Sequence, residues 1–73
     1  MSVATQFLSG ADRHEVFSKV MGLCRRLGDA RVRAYIRAVY GVPSGQARQL
    51  DDYQLVMLLV WCVGELLKQD QAA

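Results

Sequence analysis

The sequence predicts an all-α fold, a compact three-helix domain with a central, strongly apolar third helix. Three segments repeat apolar residues at helical spacing, and glycine, proline or capping residues mark their ends. Hydrophobic residues make up 52% of the chain, which argues against a disordered protein. With 73 residues, we expect one domain whose core supplies only about 3–5 kcal/mol of net stability. Self-association is therefore one hypothesis for how the chain gains further stability.

The first predicted helix runs from Asp12 to Leu27. Its apolar residues fall within an arc of about 160° at 100° per residue, and polar residues fill the rest. Ser9 is an N-terminal capping signal. Gly28 is well placed to be the left-handed residue that ends the helix. The residues expected to face the core are Val16, Phe17, Val20, Met21, Leu23, Cys24 and Leu27.

The second predicted helix runs from Ala30 to Tyr40, with Asp29 as its cap after almost no linker. Gly41 and Pro43 end it, since a glycine followed by a proline stops a helix. They begin the one predicted loop, which continues to the third helix. The expected core face consists of Val32, Tyr35, Ile36 and Val39.

The third predicted helix begins after Asp51 and ends at Leu67. Asp51 with Gln54 forms a capping-box pattern, and Leu50 is placed to contact Leu55 as a hydrophobic staple. These signals favour a helix over a buried strand for the apolar run that follows. The expected core face is centred on Leu55, Leu58, Leu59, Cys62, Val63 and Leu66, widened by Val56, Val60 and Leu67.

We divide the chain into an N-terminal arm at residues 1–10, the helical domain at 11–69 and a C-terminal tail at 70–73. The arm lacks the basic and long apolar regions of a signal peptide. The longest apolar run, residues 55–63, is about half as long as the roughly 20 residues of a membrane-spanning helix. We therefore expect no membrane segment. The two cysteines, expected to be free thiols, indicate a reducing, cytoplasmic setting.

The histidine and the cysteines give no support to an enzyme, a cofactor or a metal site. His14, the only histidine, is predicted on the polar side of the first helix, without a serine or cysteine spaced to use it as a base. Cys24 and Cys62 have no metal-ligand or redox spacing. Both fall on apolar faces, so we expect buried free thiols rather than a disulfide. The prediction is a non-enzymatic protein with no small-molecule substrate.

Five arginines in the first and second helices form one candidate binding site. Only Asp29 opposes their charge locally, so they suggest nucleic acid or an acidic protein as a partner. However, the net charge of +2 is mild, and the second helix lacks the side chains that commonly contact base edges. A solvated helix face is the alternative. These arginines are Arg25, Arg26, Arg31, Arg33 and Arg37.

A ridge on the third helix is the preferred candidate site. Tyr53, Met57 and Trp61 recur every four residues and so stack along one side, and Gly64 lets another backbone approach closely. Trp, Tyr and Met are enriched in the buried centres of protein interfaces. The ridge predicts a homodimer or another protein partner. The alternative is that apolar residues of the N-terminal arm cover it; these are Val3, Phe7 and Leu8.

The segment from Leu23 to Leu67 carries a series of turn and capping signals. They are the Leu27-Gly28 turn, Arg33 to Tyr35, the Gly41 to Ser44 loop, and Leu50 to Leu55. In this order they resemble the small helical module of the Mu-type phage GemA family. The resemblance implies a phage or prophage regulatory protein that modulates host processes, and it transfers no catalytic residues. We expect a small regulatory or accessory protein that binds protein, with nucleic-acid binding as the alternative.

Overall fold

The computed structural model describes residues 7–72 and contains three helices, with a short 3-10 turn between the second and third. The predicted all-α fold is confirmed. The third helix continues past its predicted end at Leu67, and residues 1–6 of the predicted arm lie outside the described part. The elements are α1 at Gly10–Leu27, α2 at Asp29–Tyr40, the 3-10 turn at Ala47–Gln49 and α3 at Asp52–Ala72.

The ends of α1 follow the sequence signals. Ser9 Oγ accepts a hydrogen bond from the Asp12 N–H at 3.1 Å, which satisfies one free donor of the first turn. Gly28 adopts φ +103° and donates its N–H to the Cys24 carbonyl oxygen. The prediction that Asp29 caps α2 is wrong, because Gly28 occupies that position and Asp29 is already helical. One glycine therefore ends α1 and precedes α2.

The loop after α2 is packed against that helix. Gly41 is left-handed, at φ +67° and ψ +24°, as predicted for the residue that ends α2. Gly45 also has a positive φ, and a Cβ there would lie 3.0 Å from both the Cβ and the carbonyl oxygen of Arg33. Only glycine fits this conformation and this approach without strain. The loop thereby lies on the backbone of α2 and delivers the chain to α3.

The start of α3 matches its predicted capping box. The Gln54 N–H donates to Asp51 Oδ1 at 2.8 Å, and the Asp51 N–H donates to Gln54 Oε1 at 3.2 Å. Leu50 and Leu55, the predicted staple pair, are both buried in the core. These contacts fix the angle at which the chain enters α3.

The core receives side chains from all three helices and from the 3-10 turn. Val39, predicted in the core, is 54% exposed. It points in nearly the same direction as Val32 on a helical projection, so its position in the last turn of α2 explains its exposure. None of the described helices has the length and continuous apolar character needed to cross a membrane. The buried apolar residues are Val20, Cys24, Leu27, Val32, Ile36, Ala47, Leu50, Leu55, Leu58 and Cys62.

The two cysteines meet in this core. Cys24 on α1 is 4% exposed and Cys62 on α3 is fully buried, and both are free thiols. The prediction of buried free cysteines is confirmed. The neighbouring Cys24 thiol and burial raise the pKa of Cys62. A buried thiol with a raised pKa is a poor nucleophile, so Cys62 serves as a packing residue.

Candidate functional site

One side of α3 leaves a continuous apolar surface exposed. We call this side the outer face; it covers an arc of about 120° at 100° per residue. Val60 is 57% exposed, Val63 43% and Leu67 56%. No charged residue falls within this arc between Tyr53 and Leu67. The outer face consists of Tyr53, Val56, Met57, Val60, Val63, Gly64 and Leu67.

Five residues of the outer face follow a heptad pattern. The steps from Tyr53 to Val56, Val60, Val63 and Leu67 alternate between three and four residues. This spacing keeps a straight seam along a helix and is the one with which two helices pack side by side. This heptad spacing is visible in the sequence, but the prediction assigned four of the five residues to a broad core face.

The core face predicted for α3 is too wide. Leu55, Leu58 and Cys62 are fully buried, but Val63, predicted as part of that face, is 43% exposed. The neighbouring helices α1 and α2 cover only one side of α3. The predicted core face spans more than half of the circumference of α3, which is wider than the side that these two helices cover. The remainder, including Val60, forms the outer face.

Trp61 departs from the predicted ridge. Its ring stacks on Tyr35 of α2, with centroids 3.8 Å apart and planes 12° apart. The Arg31 guanidinium carbon lies 5.9 Å from the Trp61 ring, within cation–π range. Trp61 is half-buried by these contacts. It is turned toward α2, whereas Tyr53 and Met57 remain on the outer face.

Gly64 keeps its predicted setting on this surface. A Cβ built there would meet no atom within 4 Å. Open space above a glycine lets the backbone of another helix approach closely. The ridge predicted from sequence is therefore divided: Gly64 stays with Tyr53 and Met57, and Trp61 belongs to the α2–α3 contact.

The N-terminal arm was the alternative cover for the ridge. Of the three apolar residues of that alternative, the structure describes Phe7 and Leu8. The Leu8 N–H donates to Asp52 Oδ2 at 2.8 Å, at the start of α3. Phe7 is 57% exposed. Val3, the third residue of that alternative, lies outside the described residues.

The five arginines do not form one surface. On α2, Arg31 lies about 200° around the helix from Arg33, and it is paired with Glu65 of α3. Arg37 donates from Nε to the Pro43 carbonyl oxygen at 3.1 Å. The remaining two, Arg25 and Arg26, are exposed in the last turn of α1, where positive charge favours the helix C-terminus.

Asp52 and Arg13 form a polar junction between α1 and α3. Asp52 is 4% exposed, and its Oδ1 accepts from Arg13 Nη1 at 2.7 Å. Arg13 Nη2 also donates to the backbone carbonyl oxygens of Leu50 and Arg48. The pair ties the start of α1 to the start of α3. Sequence spacing gives no signal for it, because the two residues are far apart in the chain.

The charge of Asp52 is stabilised locally. Hydrogen bonds from the Leu8 N–H and from Arg13 lower the pKa of Asp52, against burial, which raises it. A carboxylate held ionised by a guanidinium and a backbone N–H is unsuited to general acid–base catalysis near neutral pH.

Comparisons of this chain with protein-family models, curated proteins and solved structures found no match. The resemblance to the Mu-type phage GemA family therefore stays a prediction. The outer face of α3 is the candidate site that the geometry offers.

Proposed function

We propose that this protein is a small non-enzymatic accessory protein that acts by binding protein, and that it forms a homodimer through the outer face of α3. The observation that carries the proposal is the heptad seam from Tyr53 to Leu67, in which Tyr53, Val60, Val63 and Leu67 are exposed and Val56 is half-buried. Contiguous apolar surface with polar surroundings marks interaction sites in soluble proteins. Two such seams bury each other when two α3 helices pack together.

A second copy suits this seam electrostatically. The outer face holds no charge between Tyr53 and Leu67, so two identical faces meet without like-charge repulsion. The nearest acidic residue toward α2, Glu65, is paired with Arg31 of its own chain. Gly64 adds a point of close approach.

The expected affinity is modest. Burying a side chain that is half exposed contributes about 1 kcal/mol, so five from each copy contribute on the order of 10 kcal/mol before costs. Loss of translational and rotational freedom costs about 4–15 kcal/mol. At the low end of that cost the net gain is about 6 kcal/mol, so we expect a weak, reversible dimer with a Kd on the order of tens of micromolar to millimolar.

The regulatory role of a phage or prophage protein is supported by the resemblance to the GemA family. The cytoplasmic location is supported by the two free thiols, which are typical of reducing compartments. Nucleic-acid binding, the alternative, is supported less because Arg31 is paired with Glu65 and points away from Arg33. It requires an affinity for duplex DNA that falls steeply with salt.

The test is sedimentation velocity across a wide concentration range at about 0.15 M salt, where long-range surface electrostatics are screened. We expect concentration-dependent dimerisation of the wild type and a monomer for Val60→Glu. Val39→Glu is the matched control, because Val39 is 54% exposed and Val60 57%, on different helices. It should dimerise like the wild type. A wild type that stays monomeric throughout, or equal losses in both variants, would contradict the proposal.

A further inference from the structure

A cavity of about 270 Å³ lies between α1, α2 and residues 45–48. This volume lies just below the roughly 300–1,000 Å³ of common small-molecule sites. Its lining comes from α1, α2 and the loop, so a ligand bound there leaves the outer face of α3 free. Helical periodicity in the sequence gives no signal for such a cavity, because its lining residues come from three separate segments.

The floor of the cavity is apolar. Phe17 and Met21 of α1 are half-buried there, and Val32 and Ile36 of α2 are 2% and 1% exposed. Ala47 contributes only a methyl group from the 3-10 turn. Small-molecule sites have such walls, with few polar groups to orient the ligand. The floor suits a flat or branched apolar group.

The rim carries an excess of positive charge. Arg33 of α2 and Arg48 of the loop border the cavity, against one carboxylate, Asp29. Both arginines are exposed, and the ion pairs found among the described residues do not include either of them. Arg48 Nε donates to Gln46 Oε1 at 3.0 Å, which orients its guanidinium. Two guanidinium groups beside an apolar floor are complementary to an apolar carboxylate.

We propose that this cavity binds a small organic anion, an apolar group about the size of a phenyl ring that carries a carboxylate. The ring lies on the floor between Phe17 and Ile36, and the carboxylate pairs with Arg33 and Arg48. Asp29 repels a second negative group and so favours monoanions. This site is independent of the α3 homodimer.

Three probes of equal size test the proposal: benzoate, benzamide and benzamidine, which are negative, neutral and positive. In protein labelled with 13C at the methionine methyl groups, Met21 reports the cavity and Met57 reports the outer face. Small ligands bind weakly, so each titration extends to about 20 mM. We expect a saturable shift of the Met21 signal with benzoate. Affinity should fall about tenfold or more for the other two probes, because they lose a charge-assisted hydrogen bond.

Two arginine variants supply the control. Arg33→Gln should remove the preference for benzoate over benzamide. Arg37→Gln, one turn further along the same exposed side of α2 and outside the cavity lining, should retain it. Circular dichroism and an unchanged Met57 signal verify that both variants fold. The absence of a saturable Met21 shift, equal binding of benzoate and benzamide, or shifts confined to Met57 would each overturn the proposal. Because Met57 reports the outer face separately, failure of the homodimer leaves this test intact.

Discussion

The two faces of α3 have similar compositions and opposite environments. Leu55 and Leu58 on the inner face are fully buried, whereas Val60 and Leu67 on the outer face are 57% and 56% exposed. A helix that is apolar on both sides needs packing partners on both sides. Within one chain, the number and length of the neighbouring helices decide which side is packed. The uncovered face is therefore the part of the helix available to another chain.

The largest expected effect separates the faces directly. Leu58→Ala should lower the free energy of unfolding by about 3 kcal/mol, because it leaves a cavity in a well-packed core. Val60→Ala should change it by less than about 0.5 kcal/mol, as is usual for exposed positions. Urea denaturation at the lowest workable protein concentration measures both, since association then adds little stability. Similar losses in the two variants would mean that the faces do not differ as described.

The polar junction between Asp52 and Arg13 at the start of α3 makes the free energy of unfolding depend on pH. The pKa of Asp52 is lowered in the folded protein by the Leu8 N–H and Arg13. The unfolded chain therefore binds a proton at higher pH than the folded chain does. The stabilisation is fully present above the unfolded pKa of about 3.9, and it is lost as pH falls through the lower folded value.

Asp52→Asn tests this dependence. The variant should be less stable than the wild type at pH 7, and the difference should shrink as the pH falls below about 4. Asp51→Asn is the control, because asparagine also caps helices well and Asp51 accepts only the local Gln54 bond in the capping box. The measurement is the free energy of unfolding of the wild type and of both variants from pH 7 to pH 2. A difference between wild type and Asp52→Asn that is constant with pH would rule out the Asp52 charge as its source.

The boundary between the faces is marked by Trp61. Its stack on Tyr35 predicts that Trp61→Ala lowers the free energy of unfolding by about 2 kcal/mol, from lost burial and lost aromatic contact. Tyr53→Ala, on the outer face, should cost less than about 0.5 kcal/mol while weakening the dimer. Chemical denaturation followed by circular dichroism compares them. If Trp61→Ala weakens dimerisation and leaves stability unchanged, Trp61 belongs to the interface after all.

Local signals in the sequence predicted the fold well. The capping bond of Ser9, the capping box of Asp51 and the positive φ of Gly41 each depend on residues close together in the chain. The contacts of Trp61 with Tyr35 and of Arg13 with Asp52 were not predicted, because the two residues of each pair are distant in sequence and periodicity carries no information on such pairs. The outer face was half predicted: the ridge contained Tyr53 and Met57, but the heptad pattern of valines was assigned to the core.

The smallest expected effect lies at the same boundary, where Glu65 is shared by two cations. Lys68 Nζ lies 3.1 Å from Glu65 Oε2 and its side chain is 76% exposed, whereas Arg31 pairs with Oε1 and is 46% exposed. Lys68→Ala should therefore cost less than about 0.5 kcal/mol of stability, as for most surface pairs.

Arg31→Ala should cost about 1 kcal/mol, since Arg31 also faces the Trp61 ring and links α2 to α3. Repeating both measurements in a Trp61→Phe background separates the two contributions by a double-mutant cycle. Coupling of Trp61 with Arg31 and not with Lys68 would place the contact between α2 and α3 at the ring itself. The absence of coupling between Trp61 and either residue would indicate that the ion pair holds this edge of α3 independently of the ring, and that the boundary between the faces is set by charge rather than by stacking.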